Sequence, residues 1–374
     1  MRFTLSSSAL NSRLQALAKV INSKNSLPIL DCFLFEVNGN QLNITASDSE
    51  NVMQSALTLD DSNGNGSFAI PNRTILDAVK ELPEQPLTLD VDTSSLEIKI
   101  LYQNGIYEFK AQNAEEYPQA QNVPANATTL TIDGTELGES ISRALFATAQ
   151  DELRPVMNGI YFDLTPDSLA IVASDGHKLV RNKNFSVKSD EPASFILPKK
   201  PATLLKNVLT KEVGEVVLRF DDRSAEVVYS EGKLVCRLIE GRYPNYNSVI
   251  PQDNPNRVTI DRRSLIGALR RVLPFASESS QLVRFHLETG KLELKSKDVD
   301  FSTSAQENIT CDYNGTTMNI GFKGSSLSEI LNNLNSDEVT IELADPSRAG
   351  IIVPVSHPEN QDVLMLIMPM LLND

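Results

Sequence analysis

Ser174-Asp175-Gly176-His177 places a hydroxyl, a carboxylate and an imidazole within four consecutive residues, and the last two could be arranged as a general base. The chemistry goes no further. A base built on Asp175 and His177 needs a nucleophile or a bound water to act on, and the other two imidazoles, His286 and His357, stand alone. No glycine-rich phosphate loop and no metal-ligand spacing occurs anywhere in the chain. Hydrolysis by Asp175 and His177 is therefore the weaker alternative, and the expectation is a protein without catalytic residues, cofactor or metal. Cys32, Cys236 and Cys311 are odd in number, far apart and set in apolar strand-like runs, which predicts reduced, buried thiols.

The elements that must position these residues follow from an internal repeat. An apolar-Thr-apolar triplet with a leucine seven places after its first residue occurs three times: Phe3-Thr4-Leu5 with Leu10, Leu130-Thr131-Ile132 with Leu137, and Val258-Thr259-Ile260 with Leu265. Ala46-Ser47-Asp48 returns 127 residues later as Ala173-Ser174-Asp175, and Ile70-Pro71 returns at the same step as Leu197-Pro198. Tyr117-Pro118 recurs as Tyr243-Pro244, and Met368-Pro369 closes the last copy. The chain thus reads as three similar domains, 1–126, 127–252 and 253–374.

Within each copy a short strand leads into a helix, several strands, a second helix and further strands. Leu10, Leu14, Leu17 and Ile21 recur at helical spacing. Cys32 to Val37, Gln41 to Ala46 and Glu97 to Lys110 alternate as strands do, with turns at Asn38-Gly39-Asn40 and Gln103-Asn104-Gly105. Two helices on antiparallel sheets per copy is α+β.

The net charge of −15 argues on its face against nucleic acid, but its distribution does not. Six helices are expected at 10–24, 72–82, 137–148, 199–211, 261–274 and 323–335, and together they carry 15 Lys or Arg against 5 Asp or Glu. Arg263, Arg270 and Arg271 fall opposite the stripe of Leu265, Leu269 and Val272. Lys19 opposes the first helix's leucines, Arg13 flanks them and Lys24 follows. Arg73 lies on the second helix, and Lys199, Lys200, Lys206 and Lys211 on a fourth without acids. Such a segregated field draws a polyanion to one face, and without interleaved aromatics or a recognition motif it predicts duplex binding that ignores base sequence. No run reaches the roughly 18 apolar residues of a membrane span, and Met1-Arg2-Phe3-Thr4-Leu5 enters a strand rather than a signal-peptide core, so a soluble, cytoplasmic chain is expected.

Leu27-Pro28-Ile29-Leu30, Asn158-Gly159, Ser174-Asp175-Gly176-His177-Lys178-Leu179, Gly241-Arg242-Tyr243-Pro244-Asn245-Tyr246 and Met368-Pro369-Met370 stand in one order on the threefold repeat. With them the chain resembles, over its full length, the bacterial sliding clamps, the β subunits of DNA polymerase III. The resemblance implies the DNA clamp fold and a head-to-tail homodimer whose six domains close a ring around double-stranded DNA. It also implies that the basic helices face the DNA through Arg13, Lys19, Lys24, Arg73, Lys199, Lys200, Arg263, Arg270 and Arg271.

By the same resemblance, short peptides of the polymerase catalytic subunit, the clamp loader, other polymerases and repair proteins dock in a hydrophobic groove. Its residues here are Arg154, Met157, Ser174, Gly176, His177, Lys178, Leu179, Pro244, Ser248 and Val249, with Leu366, Ile367, Met368, Pro369 and Met370 from the tail. Tyr107 and Phe109 would face Phe275 of the other copy. The chain departs from the pattern at Ser248 and Lys178, where better-known clamps carry arginine, and at Pro155 and Val156, where some carry aromatics that touch single-stranded template.

Overall fold

The computed structural model describes residues 1–119, 123–210 and 214–372, so Lys211, Asn373 and Asp374 lie outside the described residues. The first repeat runs β1 (Arg2–Ser6), α1 (Ser7–Ala18), β2 (Cys32–Asn38), β3 (Gln41–Ser47), β4 (Asn51–Thr58), β5 (Asp61–Asn63), β6 (Gly66–Pro71), α2 (Asn72–Val79), β7 (Pro86–Asp92), β8 (Glu97–Tyr102) and β9 (Gly105–Lys110). The second is β10 (Thr128–Asp133), α3 (Gly134–Leu145), β11 (Gly159–Leu164), β12 (Leu169–Ser174), β13 (Lys178–Asn184), β14 (Ala193–Pro198), α4 (Lys199–Leu209), β15 (Glu215–Phe220), β16 (Ser224–Tyr229) and β17 (Gly232–Arg237). The third is β18 (Asn256–Asp261), α5 (Arg262–Val272), β19 (Leu282–Glu288), β20 (Lys291–Asp298), β21 (Thr303–Thr310), β22 (Met318–Lys323), α6 (Gly324–Asn332), β23 (Glu338–Leu343), β24 (Gly350–Pro354) and β25 (Gln361–Ile367). The α+β order expected from the repeat is present in all three.

A shared cap starts the first helix of each copy. The residue just after each apolar-Thr-apolar triplet is Ser6, Asp133 or Asp261, and its side-chain oxygen accepts from the N–H of Ala9 at 3.1 Å, Glu136 at 3.0 Å or Ser264 at 2.6 Å. Each cap contributes about 1 kcal/mol by satisfying an amide the first turn leaves open. Leu10, Leu14 and Leu17 of α1 are fully buried. The first helix nonetheless ends at Ala18, short of the expected Lys24, because the N–H groups of Val20 and Ile21 reach back only three residues, to the carbonyls of Leu17 and Ala18. That tighter turn sends Val20 into the core and takes Ile21 out of the stripe.

The chain packs as two compact units, Met1–Gly138 with Lys200–Leu238, and Glu139–Lys199 with Ile239–Asp374. Unit one holds a five-stranded sheet, β5-β1-β7-β8-β9, and an eight-stranded sheet, β10-β15-β16-β17-β4-β3-β2-β6. Unit two holds an eight-stranded sheet, β14-β11-β12-β13-β25-β24-β23-β18, and a four-stranded sheet, β21-β20-β19-β22.

One rule generates all four sheets. Each repeat makes two half-sheets of four strands, the first repeat adding β5 at the edge of one of them, and the last strand of one repeat's second half pairs with the last strand of the preceding repeat's first half. In unit one β17 pairs antiparallel with β4, Val235 opposite Val52. In unit two β25 pairs with β13, Leu366 opposite Leu179. Two strands of the same kind, β9 and β21, are left at the ends of their sheets.

Candidate functional site

Asp175 sits in a turn that consumes its carboxylate. Its Oδ1 accepts from the N–H groups of His177 at 2.8 Å and Lys178 at 2.9 Å, and its Oδ2 from Lys178 Nζ at 2.8 Å. Asp48, one repeat earlier, likewise accepts from the amides of Glu50 at 3.0 Å and Asn51 at 2.7 Å, and Asp298 in the third repeat from those of Asp300 at 2.9 Å and Phe301 at 3.1 Å. The feature that first suggests a general base is a turn used three times, only once with a histidine.

Burial alone would raise Asp175, but Lys178 and the two turn amides outweigh it and hold the carboxyl below its ordinary value. A carboxyl lowered in the fold contributes stability above its unfolded value of about 4 and loses it as pH falls through the lower folded value. Asp175→Asn is therefore expected to cost about 2 kcal/mol at neutral pH. Thermal unfolding of mutant and parent should converge below about pH 4; a gap unchanged from pH 7 to pH 3 would refute the assignment.

Around this turn unit two gathers most of the residues expected to form a peptide groove. Ser174 Oγ accepts from the Gly176 N–H at 3.1 Å and donates to the Lys178 carbonyl at 2.9 Å, fixing Gly176 at φ +89. The Arg154 guanidinium, paired with Asp151 at 2.7 Å, lies 3.3 Å from where a Cβ on Gly176 would stand. Met157 is buried in the short helix that Arg154 precedes. Leu179 and Leu366 face one another and pack with Val172, Tyr243, Tyr246 and Ile250. Above them Pro244, Ser248 and Val249 are exposed, Val249 at 55% and Met368 at 41%.

The tail is held by its backbone, since the Met368 N–H donates to the His177 carbonyl at 2.8 Å and the Met370 N–H to the Gly321 carbonyl at 2.8 Å, with Pro369 between them. Tyr161, which stacks on Tyr243 at 4.7 Å, and Ile351 belong to the same cluster and were not singled out from the sequence, and Val156, marked there only as a departure from the pattern, packs with them.

Two expected groove residues do not belong to it. Lys178 and Ile367 are opposite one another and, by strand alternation, point to the other face from Leu179 and Leu366. Lys178 Nζ is buried against Asp175 and Glu329, 5.9 Å from the centre of the Phe146 ring, so its replacement of arginine does not bear on a ligand above the sheet.

The basic helices are also less uniform than expected. α4 carries Lys199, Lys200 and Lys206, and α5 carries Arg262, Arg263, Arg270 and Arg271, both without acids, whereas α6 has Glu329 and no base. Arg143 of α3 is 6% exposed, bonded to Glu139 and to Gln361 at 3.1 Å. Arg13 pairs with Glu231, and Arg271 with Glu307, so neither offers a free cation.

Lys200 is half-buried, its side chain 34% exposed, and its amine is fully engaged. Its Nζ donates to the Val20 carbonyl at 2.6 Å, to Asn22 Oδ1 at 2.6 Å and to Asp48. It is a structural cation rather than a DNA-facing one. Lys19, Lys24, Arg73, Arg263 and Arg270 are exposed, and none has an ion pair among the described residues; Lys199 is exposed as well.

Tyr107 and Phe109 lie half-buried on β9, with Tyr107 stacked on Tyr102 at 4.8 Å. Phe275, 41% exposed, ends the short helix Leu273–Phe275 that packs against β20 and β21. All three thus sit at the two strands left over by the pairing rule.

The repeats match three consecutive family models of the DNA polymerase III beta subunit: the N-terminal domain over residues 1–121, the central domain over 131–245 and the C-terminal domain over 247–371. The chain belongs to the DNA polymerase III β subunit family. It is a DNA sliding clamp, a non-catalytic processivity factor. The beta sliding clamp of Pseudomonas aeruginosa is 28% identical over 373 residues, 99% of this chain and 100% of that one. That of Vibrio cholerae is 24% identical over 369 residues, covering 99% of each. A Pseudomonas aeruginosa clamp solved bound to griselimycin superposes with a TM-score of 0.93 at 26% identity over 100% of both chains.

The three cysteines of this clamp are free and buried, and burial pushes the Cys236 thiol up to about 12, far from a reactive thiolate. Among the described residues no helix is long and apolar enough to cross a membrane.

Proposed function

We propose that two copies of this clamp close head to tail into a ring, β9 of each pairing with β21 of the other, and that the ring encircles duplex DNA in the cytoplasm without regard to base sequence. The sheet-pairing rule carries the reading: β17–β4 and β25–β13 are the same junction, and β9 and β21 are the pair of edges that would make it a third time. A head-to-tail contact that closes leaves neither β9 nor β21 as an open edge. Tyr107 and Phe109 would then meet Phe275 of the other copy. The chain would divide into modules 1–126, 127–252 and 253–374, one per repeat.

Lys19, Lys24, Arg73, Lys199, Arg263 and Arg270 would centre the duplex through screened phosphate contacts, weak enough for the ring to slide. The patch of Arg154, Met157, Ser174, Gly176, His177, Leu179, Pro244, Ser248, Val249, Leu366, Met368, Pro369 and Met370 would take short peptides of the polymerase catalytic subunit, the clamp loader, other polymerases and repair proteins. A tethered polymerase then remains near its template by effective concentration rather than by tight binding to DNA.

Rings loaded onto a circular plasmid should remain through gel filtration and be lost once the plasmid is cut at one site. Equal retention on circular and linear DNA would overturn topological holding.

A further inference from the structure

We infer that unit one carries a second docking groove, equivalent by the repeat to the apolar patch of unit two, for a short extended peptide that is basic rather than purely apolar. A cavity of about 450 Å³ opens on the eight-stranded sheet of unit one, lined by Leu34, Glu36, Thr45, Val52, Tyr117 and Lys233 among others. A step of 127 residues carries four of these onto the patch in unit two, Leu34 to Tyr161, Glu36 to Asp163, Thr45 to Val172 and Val52 to Leu179. Tyr117-Pro118 takes the place of Tyr243-Pro244, and each tyrosine is buried with its hydroxyl beside the backbone of the turn serine, Ser47 or Ser174. Across the junction Val235 opposes Val52 as Leu366 opposes Leu179. The two sites are built by one backbone arrangement.

Their chemistry differs. In place of Val172, Arg181 and Leu364, unit one has Thr45, Gln54 and Lys233. Gln54 Nε2 donates to Thr45 Oγ1 at 3.4 Å, a long bond that a better donor or acceptor could replace. Lys233 already has Glu226 at 3.5 Å. Glu36 has no ion pair among the described residues, and the exposed Glu115 shares the cavity wall. Where Tyr246 donates to Asp163 at 2.8 Å in unit two, the equivalent carboxylate of Glu36 is left for an incoming group. Val52, Leu34 and Val235 offer a narrow apolar strip beside it. The complementary ligand is an extended peptide with one small apolar side chain flanked by arginine or lysine.

The class of occupant rests on the reading of unit two as a peptide site, so the test treats the two sites separately. The probes are fluorescein-labelled acetyl-Ala-Arg-Val-Arg-Ala-amide, its Glu-for-Arg counterpart, and, for the apolar patch of unit two, an apolar Leu-for-Arg counterpart, with affinities read by anisotropy and calorimetry. The arginine probe should bind the full-length protein roughly tenfold or more tightly than the glutamate probe. Glu36→Gln should weaken it by about the same factor, Val52→Arg should abolish it, and Val249→Asp should leave it unchanged. The apolar probe should show the reverse, lost in Val249→Asp and kept in Glu36→Gln.

The second groove is refuted if the arginine probe fails to bind below about 1 mM, ignores Glu36→Gln and Val52→Arg, or is lost in Val249→Asp. The apolar probe surviving Val249→Asp would overturn the reading of unit two alone.

Discussion

Phe109→Asp combined with Phe275→Asp is expected to halve the sedimentation mass of the protein while leaving its secondary structure intact. Both side chains reach solvent in the isolated chain, Phe275 at 41%, so a carboxylate there is tolerated by the fold. Across a closed junction it would be desolvated without a partner. Removing a central aromatic anchor typically costs about 2–4 kcal/mol, and a ring of two copies has two such junctions, so the dimer constant should weaken by on the order of 10³-fold or more. Retention on circular DNA should vanish with it. Analytical ultracentrifugation at micromolar protein decides the matter: a mutant that still runs as a dimer would mean that β9 and β21 do not meet.

The second large effect concerns Lys200. Lys200→Ala is expected to cost about 3 kcal/mol, because it leaves the Asp48 carboxylate, 4% exposed in its side chain, without its cation. At about 2–4 °C per kcal/mol for a domain of this size, the unfolding midpoint of unit one should fall by roughly 6–12 °C. The slope of DNA affinity against salt should not change, since the amine is already engaged by Val20, Asn22 and Asp48. By contrast, replacing Arg263 or Arg270 should lower that slope by about 0.9 for each phosphate no longer neutralised and leave the melting temperature alone. The double replacement Asp48→Asn with Lys200→Met should cost less than the two single changes summed, because the pair fails together. A Lys200→Ala protein of unaltered stability and reduced salt slope would reverse the assignment.

These two residues also mark the limit of what the sequence discloses. The triplets at Phe3, Leu130 and Val258 announce strand, cap and helix together, because capping and periodicity are local and leave their signature within about ten residues. The turn aspartates Asp48 and Asp175 were visible as repeats, and with them the fold. What periodicity does not carry is the partner of a charge. Lys200 finds Asp48 across 152 residues, Arg13 finds Glu231, and Arg271 finds Glu307, and each pairing depends on a tertiary arrangement that no helical wheel contains.

The groove residues lie between these cases. Leu179 with Leu366 was readable, and so was the error about Lys178 and Ile367, since neighbours on a strand cannot line one face. The half-buried Tyr161, by contrast, has the same surroundings in sequence as any strand tyrosine, and only its stack on Tyr243 gives it away.

The ladder between β4 and β17 has a mechanical corollary. Five residue pairs, from Ser55 with Gly232 to Asn51 with Cys236, bind the first module to the second independently of the segment that joins them covalently. A nick by a protease between Lys110 and Thr128 would sever the chain but not that seam, and the fragments would stay mated as if still one polypeptide. Concatenating modules in one gene and associating them as separate products are, for this architecture, interchangeable solutions.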